Sequence, residues 1–285
     1  MRFVSPASTA NLGPGFDAAA AALELWNELV VEEAPFAVEI EGEGADELPR
    51  DASHLALRAF AHFAPVERYR FSFRNRIPLE RGLGSSAAAI AAGLVAGATI
   101  AGRNAQPAEL LSLGTRLEGH SDNLAAALYG GVCLTWQRNG APRASRIAQS
   151  LPAAVIVAVP QERTNTAAAR NGLPFTVKHD DATVTAGAAA LLGAAIAAGD
   201  PELLGAAFSD RIHEPYRAPN APLFTALRDR LPEGSLGVTL SGSGPSVVVW
   251  ARAERADDVR RQLEASLDNA TVLPLAVAQE GAHQT

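Results

Sequence analysis

The chain has one cysteine and one lysine, and no long apolar segment near its start. The single Cys133 has no partner for an internal disulfide, which excludes a disulfide framework and favours a reducing compartment. Because Cys133 lies in the apolar run 131–136, we predict that it packs in the core. Residues up to Asp17 lack the apolar core of a signal peptide. We therefore expect a cytoplasmic location.

The shortage of lysine excludes one common way of binding nucleotides. Lys178 is the only lysine among 24 lysines and arginines. The P-loop pattern needs Gly-Lys-Ser or Gly-Lys-Thr after its glycines, so it is absent. A nucleotide enzyme built on this chain must hold phosphates mainly with backbone amides, a helix end and a metal ion.

Positive charge is scarce overall. The formal net charge is −7, and the sequence pI is about 5.4. Nucleic acids and anionic membranes bind basic surfaces, so we predict neither as a partner. An apolar content of 48% with 19% charged residues is typical of a globular protein, and 285 residues are enough for a sizeable core.

Long hydrophobic runs are also missing. The longest apolar stretches, 86–102 and 182–199, consist largely of alanine and glycine and are short for a membrane span. We predict that both are buried helices, with Gly93 and Gly97 allowing close contact to a neighbour. Residues after about Gln279 are expected to form a loose tail.

Periodicity predicts a chain of mixed strands and helices. Strands are expected at 2–9, 22–33, 36–42, 69–74, 153–159, 235–240, 246–252 and 271–276, with a strand pair within 131–147. Helices are expected at 53–64, 86–101, 107–117, 181–199 and 253–265, with shorter ones ending near 128 and 170. The most probable boundary lies near 150–152, which gives domains 1–150 and 151–285 in an α+β arrangement.

A glycine- and serine-rich loop at 78–88 runs into the alanine-rich helix. Serine is a preferred N-cap, so Ser85 and Ser86 are expected to begin that helix. Free backbone N–H groups, two hydroxyls and the positive end of a helix dipole together suit a phosphate. The alternative is an ordinary capped helix. Two more glycine-rich turns, at 11–17 and 241–246, favour the phosphate site.

These three turns, in this order, resemble the signature motifs of the small-molecule kinase superfamily that includes galactokinase, homoserine kinase, mevalonate kinase and phosphomevalonate kinase. The segments Pro-Ala-Ser-Thr-Ala-Asn-Leu-Gly-Pro-Gly-Phe-Asp at 6–17, Glu-Gly-His-Ser-Asp-Asn at 118–123 and His-Glu-Pro-Tyr-Arg at 213–217 resemble the homoserine kinase branch. The resemblance covers nearly the whole chain. It implies an N-terminal nucleotide-binding domain of mixed sheet and helices, a ferredoxin-like C-terminal domain, and a homodimer.

The resemblance also implies a reaction, namely ATP-dependent phosphorylation of L-homoserine on the route to threonine, with Mg²⁺ as cofactor. The residues expected to bind ATP are Pro78, Leu79, Glu80, Arg81, Gly82, Leu83, Gly84, Ser85, Ser86, Ala87 and Ala88. Ser86 and Glu118 are the expected metal ligands, and Glu109 is an alternative to Glu118. The third glycine turn is expected to pack against the central loop.

Homoserine is a zwitterion with a primary hydroxyl, so its site needs a carboxylate, an arginine and a polar group. By the resemblance, Asn11, Asp17, Asn123, Arg170 and Arg217 bind it, with both arginines facing its carboxylate. Each of these residues alone could instead cap a turn or form a surface ion pair.

Activation of the hydroxyl is expected to need no strong base. A loose phosphoryl-transfer transition state requires little nucleophilic push. The expected catalytic residues are Asn123, which would hold the hydroxyl, together with Asp122 and His120. His120 is favoured as a structural neighbour over a base. The rival functions are a kinase for another small alcohol and a catalytically silent relative.

Overall fold

Two β-sheets, one in each half of the chain, organise the fold. The computed structural model describes residues 1–285, except for the side chains of Thr166 and Ala167. The strands of the first sheet are β1 Arg2–Ala10, β2 Ala19–Glu33, β3 Ala37–Gly42, β4 Tyr69–Asn75, β5 Val132–Arg138, β6 Ala141–Ala148 and β11 His283–Gln284. Their order is β11-β1-β2-β4-β3, with β5 beside β2 and β6 beside β5.

The long strand β2 holds the first sheet together. It pairs with β1 along one edge, and on the other edge first with β5 and then with β4. Pairing is antiparallel except between β3 and β4. Because β1 is buried on both faces, it carries the first glycine-rich turn into the centre of the molecule.

Four helices cover this sheet: α1 Leu55–Phe60, α2 Ser85–Ile100, α3 Pro107–Glu118 and α4 Asp122–Tyr129. The central helix α2 packs against α1 through its glycines, as predicted. A Cβ atom at Gly93 would overlap the carbonyl oxygen of Ala56, and one at Gly97 would lie 2.7 Å from the carbonyl oxygen of Phe60. Only glycine permits so close an approach of two helix backbones.

The second sheet has the strand order β10-β7-β9-β8 and is antiparallel throughout. Its strands are β7 Ala154–Pro160, β8 Ser235–Leu240, β9 Val247–Ala251 and β10 Ala270–Leu275. Its helices are α5 Thr166–Asn171, α6 His179–Ala198, α7 Pro201–Ala207, α8 Glu214–Arg217, α9 Pro222–Asp229 and α10 Ala256–Ser266. Helices between β7 and β8 and between β9 and β10 give the ferredoxin-like arrangement that was expected.

Two expectations about the second half are wrong. Helix α6 is largely exposed, and its buried side consists of Thr185, Ala188, Leu192, Ala195 and Ile196. Alanines recur around the whole helix, so its buried side cannot be recognised from the sequence. By length and composition alone α6 could cross a membrane, and no other helix among the described residues could.

The C-terminal residues do not form a loose tail. Strand β11 pairs with β1, and the amide of Ala282 donates to the carbonyl of Ala127 at 2.7 Å. These bonds attach the end of the chain to the first sheet, because the edge of β1 still has unpaired backbone groups there. The boundary at 150/151 falls between β6 and β7, and it stays a prediction.

Candidate active site

A cavity of about 590 Å³ opens where the three glycine-rich turns meet. The predicted site residues that line it are Asn11, Asp17, Pro78, Leu79, Glu80, Arg81, Gly82, Leu83, Gly84, Ser85, Ser86, Glu118, His120, Asp122, Asn123, Arg170 and Arg217. Ala87 and Ala88 do not line it, because their side chains are fully buried in the core. The fold thus brings together residues that are more than 200 positions apart.

The central loop meets the cavity at the start of α2. The N-cap of α2 is Gly84, with a left-handed φ of 68°, and no side chain caps the helix. The expectation that a serine caps the helix is therefore wrong. The glycine accommodates the positive φ, so neither serine hydroxyl is used as the cap, and both serines line the cavity. The N–H groups of the first turn are thereby available to a phosphate.

The third glycine-rich turn packs against the central loop, as predicted. The Ser241 hydroxyl donates to the carbonyl of Gly82 at 2.6 Å. A Cβ atom at Gly82 would overlap the carbonyl oxygen of Ser241, and φ at Gly82 is +72°. The close approach and the positive φ both require glycine at this position.

Two oxygen ligands come together beside the loop. The Ser86 hydroxyl lies 2.5 Å from Glu118 Oε1. Burial raises the pKa of Glu118, an effect opposed by the Ser86 hydrogen bond. The alternative ligand Glu109 is remote from the cavity and pairs with Arg103 at 2.9 Å.

This oxygen pair suits Mg²⁺. Mg²⁺ prefers oxygen ligands and usually takes only one or two from the protein. Among the described residues, no group of three or more His, Cys, Asp or Glu forms a larger metal site.

His120 and Asp122 form a hydrogen-bonded pair at the cavity wall. His120 Nδ1 lies 3.1 Å from Asp122 Oδ1, and its Nε2 lies 3.9 Å from Glu118 Oε1. The hydrogen bond to Asp122 raises the pKa of His120 against the effect of burial. Asp122 also accepts from the backbone N–H of Asn123 at 2.7 Å. His120 therefore lies between two carboxylates, as a structural neighbour would.

The side chain of Asn123 is hydrogen-bonded to Ser8, a residue that was not predicted to support the site. The hydroxyl of Ser8, on β1, is fully buried and donates to Asn123 Oδ1 at 2.8 Å. With its oxygen engaged, Asn123 retains its Nδ2 hydrogens as donors. The serine belongs to the first motif, but only the tertiary structure places it against α4.

Asn11 uses both ends of its amide inside the protein. Its Oδ1 accepts from the backbone N–H of Asp17 at 3.0 Å, and its Nδ2 donates to the carbonyl of Gly242 at 3.0 Å. Asn11 itself has a left-handed φ of 73° and is 3% exposed. Its amide therefore fixes the turn that carries Asp17 and ties this turn to the third glycine-rich turn.

The charged end of the cavity contains one carboxylate and two guanidinium groups. Arg170, on α5, forms a bidentate pair with Asp17, with N–O distances of 2.7 and 2.8 Å. Arg217, at the end of α8, donates to the carbonyl of Gly242 at 2.9 Å and is 6% exposed. Its buried Nε has no hydrogen-bond partner within the described part of the chain, which is unusual for a guanidinium group. Both arginines also lie over the Phe16 ring, at 5.8 and 5.3 Å from its centroid.

Four more residues line the cavity: Gly242 and Ser243 belong to the third glycine-rich turn, which the resemblance implied would help shape the pocket, whereas Gly119 and Asn165 were not predicted as site residues. Asn165 caps α5, since its Oδ1 accepts from the backbone N–H of Ala168 at 3.0 Å. An asparagine just before a helix is a recognisable N-cap signal.

Two residues that the sequence left open lie elsewhere. Lys178 is exposed at the start of α6 and does not line the cavity, so it supplies no catalytic amine there. Cys133 is buried as predicted, and burial raises the pKa of its thiol to about 12. A thiol with that pKa is not a nucleophile near neutral pH.

Comparisons with known proteins agree with this geometry. The chain matches the families described as GHMP kinases N terminal domain over residues 51–131 and GHMP kinases C terminal over residues 192–269. It is 44% identical to the homoserine kinase of Streptomyces coelicolor, with 96% of this chain and 95% of that protein covered. It is 42% identical to the homoserine kinase of Moorella thermoacetica, with 88% and 87% covered.

Solved structures give the same result. The crystal structure of homoserine kinase from Cytophaga hutchinsonii superposes with a TM-score of 0.86 at 25% identity, covering 99% of this chain and 96% of that one. A mevalonate kinase structure at 15% identity, with a TM-score of 0.74, shares the fold. Together with the motifs and the cavity, these matches show that the chain belongs to the GHMP kinase family, in its homoserine kinase branch.

Proposed function

We propose that this protein transfers the γ-phosphoryl group of ATP to the hydroxyl of L-homoserine, giving O-phospho-L-homoserine for threonine biosynthesis. One observation carries the proposal. The carboxylate of Asp17 and the guanidinium groups of Arg170 and Arg217 face the same cavity as a loop suited to phosphate. A zwitterionic alcohol and a nucleotide triphosphate can therefore meet there.

The central loop is the proposed ATP-binding element. Glycines at 82 and 84 adopt positive φ, and the 16-residue helix α2 begins directly after them. This directs free N–H groups and the positive end of the helix dipole at the triphosphate. Because the cavity holds no lysine, the loop backbone and the Ser85 and Ser86 hydroxyls carry most of the phosphate contacts.

Ser86 and Glu118 are the proposed protein ligands of Mg²⁺. Their oxygens already lie together, so these two side chains would hold the ion. When bound, Mg²⁺ offsets the negative charge of the β- and γ-phosphates.

The acceptor lies at the charged end of the cavity. Asp17 binds the ammonium group, while Arg170 and Arg217 bind the carboxylate. The substrate carboxylate would give the buried Nε of Arg217 a hydrogen-bond partner. This favours the arrangement, since an unpaired buried donor costs free energy. Asn11 contributes by fixing the backbone of Asp17.

Asn123 orients the attacking hydroxyl. Its Oδ1 already accepts a hydrogen bond from Ser8, and we assign its Nδ2 as the donor to the hydroxyl oxygen. A neutral amide is too weak a base to take the hydroxyl proton. Asp122 fixes the backbone of Asn123, and His120 stays between the two carboxylates. The hydroxyl proton passes late to an oxygen of the transferred phosphoryl group, because a loose transition state needs little nucleophilic push.

The experiment that tests this function is ADP release by the purified protein with Mg-ATP. L-homoserine is compared with L-serine, mevalonate and galactose. Mevalonate has no ammonium for Asp17, and galactose has no charge for the arginines. Turnover on homoserine alone supports the proposal, whereas a preference for another alcohol overturns the acceptor assignment. ATP binding without turnover on any alcohol would favour a regulatory relative.

A cytoplasmic location and a homodimer are also part of the proposal. Both follow from the homoserine kinase relationship. Sedimentation equilibrium of the purified chain tests the dimer, and a monomer at micromolar concentration would contradict it. Cell fractionation tests the location.

A further inference from the structure

His213 contacts two elements of the proposed acceptor site, the first glycine-rich turn and Arg217, although it does not line the cavity. It precedes α8, and its side chain is fully buried. Its Nε2 lies 2.8 Å from the carbonyl oxygen of Gly13 in the first glycine-rich turn. Its Nδ1 lies 3.5 Å from Arg217 Nη1. One imidazole ring thus contacts the turn that carries Asp17 and the arginine proposed to bind the carboxylate.

The two contacts define which nitrogen of His213 carries the proton. A carbonyl oxygen can only accept a hydrogen bond, so Nε2 is the protonated nitrogen. A guanidinium group can only donate, so Nδ1 is unprotonated. The ring is therefore the neutral Nε2–H tautomer, in agreement with the burial that lowers its pKa.

The ring is also fixed in its plane. It stacks on Phe16, with 4.9 Å between ring centroids and an interplanar angle of 24°. Asp210 accepts from the backbone N–H groups of His213 and Glu214 at 2.9 and 2.7 Å, which anchors the residue at the start of α8. Neither the ring nor its backbone is free to rotate away from the two partners.

Both partners of His213 need a fixed position. Among the residues whose side chains are described, Arg217 has one other hydrogen-bond acceptor, the carbonyl of Gly242. Gly13 lies in a turn with little room for adjustment, because a Cβ atom there would lie 3.1 Å from Thr239 Cγ2 and 3.3 Å from Phe208 Cδ1. A displacement of the ring would therefore move the guanidinium group and the turn at once.

From this geometry, we propose that His213 is a positioning residue of the acceptor site. It holds Arg217 at a fixed distance from the turn that carries Asp17. The ammonium and the carboxylate of one homoserine molecule can then bind to Asp17 and Arg217 at the same time. The proposal rests on the proposed function and goes beyond it, since His213 touches neither substrate nor nucleotide. The contrary possibility is a buried histidine that contributes to stability alone.

Three substitutions separate the contacts of the ring. His213→Gln places an amide near Nε2 and keeps the bond to Gly13. His213→Asn places an amide near Nδ1 and keeps an acceptor for Arg217. His213→Phe keeps the stacking on Phe16 and loses both bonds. His54→Phe and His54→Gln are the matched controls, because His54 is 3% exposed and does not line the cavity. Its ring centroid lies 4.4 Å from that of Phe73, with the two rings tilted by 32°.

Steady-state kinetics and melting temperatures are measured for all five variants. We expect His213→Gln and His213→Phe to raise KM for homoserine by about tenfold, the effect of one hydrogen bond to a charged group, with KM for ATP within about twofold. His213→Asn should retain most of the affinity. In an Arg217→Ala background, His213→Gln should cause no further increase.

The proposal would be overturned if the His213 variants raised KM for homoserine and KM for ATP equally. It would also be overturned if their changes in KM and melting temperature had the same ratio as those of the His54 variants. If the His213 variants do not fold, imidazole nitrogen NMR of the unmodified protein at pH 7 still decides, because L-homoserine should shift the Nδ1 resonance if the ring positions the arginine that binds the substrate carboxylate. An unchanged Nδ1 resonance on saturation with L-homoserine would overturn the proposal. The resonance in contact with Phe16 must be the neutral Nε2–H form, and any other form contradicts the geometry. Absence of turnover on homoserine by the unmodified enzyme would refute the proposed function, while this NMR result would stand separately.

Discussion

Arg170 and Asp17 form a bidentate ion pair across 153 positions of sequence, with N–O distances of 2.7 and 2.8 Å. Each is also the proposed partner of one end of the amino acid. In the proposed complex, the ammonium of homoserine replaces the guanidinium at Asp17, and its carboxylate replaces Asp17 at Arg170. A zwitterion thus preserves charge balance, whereas a ligand with one charge leaves the other partner unpaired.

Asp17→Asn should therefore raise KM for homoserine by about tenfold or more, with KM for ATP nearly unchanged.

Arg170→Ala should reduce kcat/KM by the equivalent of about 2–5 kcal/mol. Both side chains are more than a third exposed, at 38% and 42%, so the ion pair contributes little to folding. Melting temperatures should change by only a few degrees.

The ion pair of Arg163 with Glu47 provides the control for this prediction. Its N–O distance is also 2.7 Å, its side chains are 40% and 46% exposed, and neither lines the active-site cavity. Arg163→Ala should leave kcat/KM for homoserine unchanged. A loss for Arg170→Ala within a factor of two would show that Arg170 is an ordinary surface residue.

Glu118→Gln should raise the Mg²⁺ concentration needed for half-maximal activity by at least about tenfold, because it removes the only charged metal ligand proposed. The activity is titrated with Mg²⁺ at a fixed ATP concentration. Glu109→Gln is the control, since Glu109 lies on the same helix but pairs with Arg103 outside the cavity. The assignment fails if the two variants require the same Mg²⁺ concentration.

Gly82→Ala should lower the melting temperature by several degrees and raise KM for ATP. The added Cβ would overlap the backbone carbonyl of Ser241, which cannot rotate away as a side chain can. Gly102→Ala is the control, because Gly102 has a similar φ of +66° but nothing within 4 Å of the added Cβ. Gly102→Ala should lower the free energy of unfolding by about 1 kcal/mol, because alanine is strained in the left-handed conformation. KM for ATP should not change. Equal effects of the two substitutions would exclude the steric cause.

Glu214 should make stability depend on pH. Burial raises its pKa to about 8 in the folded protein, from about 4.5. The folded state therefore keeps a proton that the unfolded chain loses. The resulting stability is fully present below about pH 4.5 and is lost as the pH rises through about 8.

Glu214→Gln tests this dependence. The amide stays neutral and can still accept from the backbone N–H of Leu240, which lies 2.9 Å from Glu214 Oε1. The melting temperature of the variant relative to the unmodified protein should rise between pH 5 and pH 8.5. Glu233→Gln, at a side chain that is 84% exposed, should show no such trend. A constant difference across this pH range for Glu214→Gln would contradict the buried protonated carboxyl.

The sequence alone predicted most strands and helices, because their signals are local. Period-two alternation located β3 and β4, and the alanine-rich run located α2. Helix α6 was located too, but its exposure was not, since a helix with alanine on every side has no distinguishable buried face. The serine cap was wrong because a positive φ at Gly84 is not visible from helix propensity.

For the candidate site, too, the sequence predicted some features and not others. The three motifs and their resemblance identified most of the residues that line the cavity, and the family and function that they implied are confirmed. The individual roles stay predictions until the variants above are measured.

Only the tertiary structure decided how those residues are connected. The carbonyl of Gly242 accepts from Asn11 and Arg217, Ser8 supports Asn123, and His213 joins Gly13 to Arg217. Helix and strand periods depend on neighbours in sequence, so the sequence by itself determines the elements and the residue types available for chemistry. Hydrogen bonds between distant residues form only once both sheets have folded and packed, so the partner of each side chain is settled by the fold.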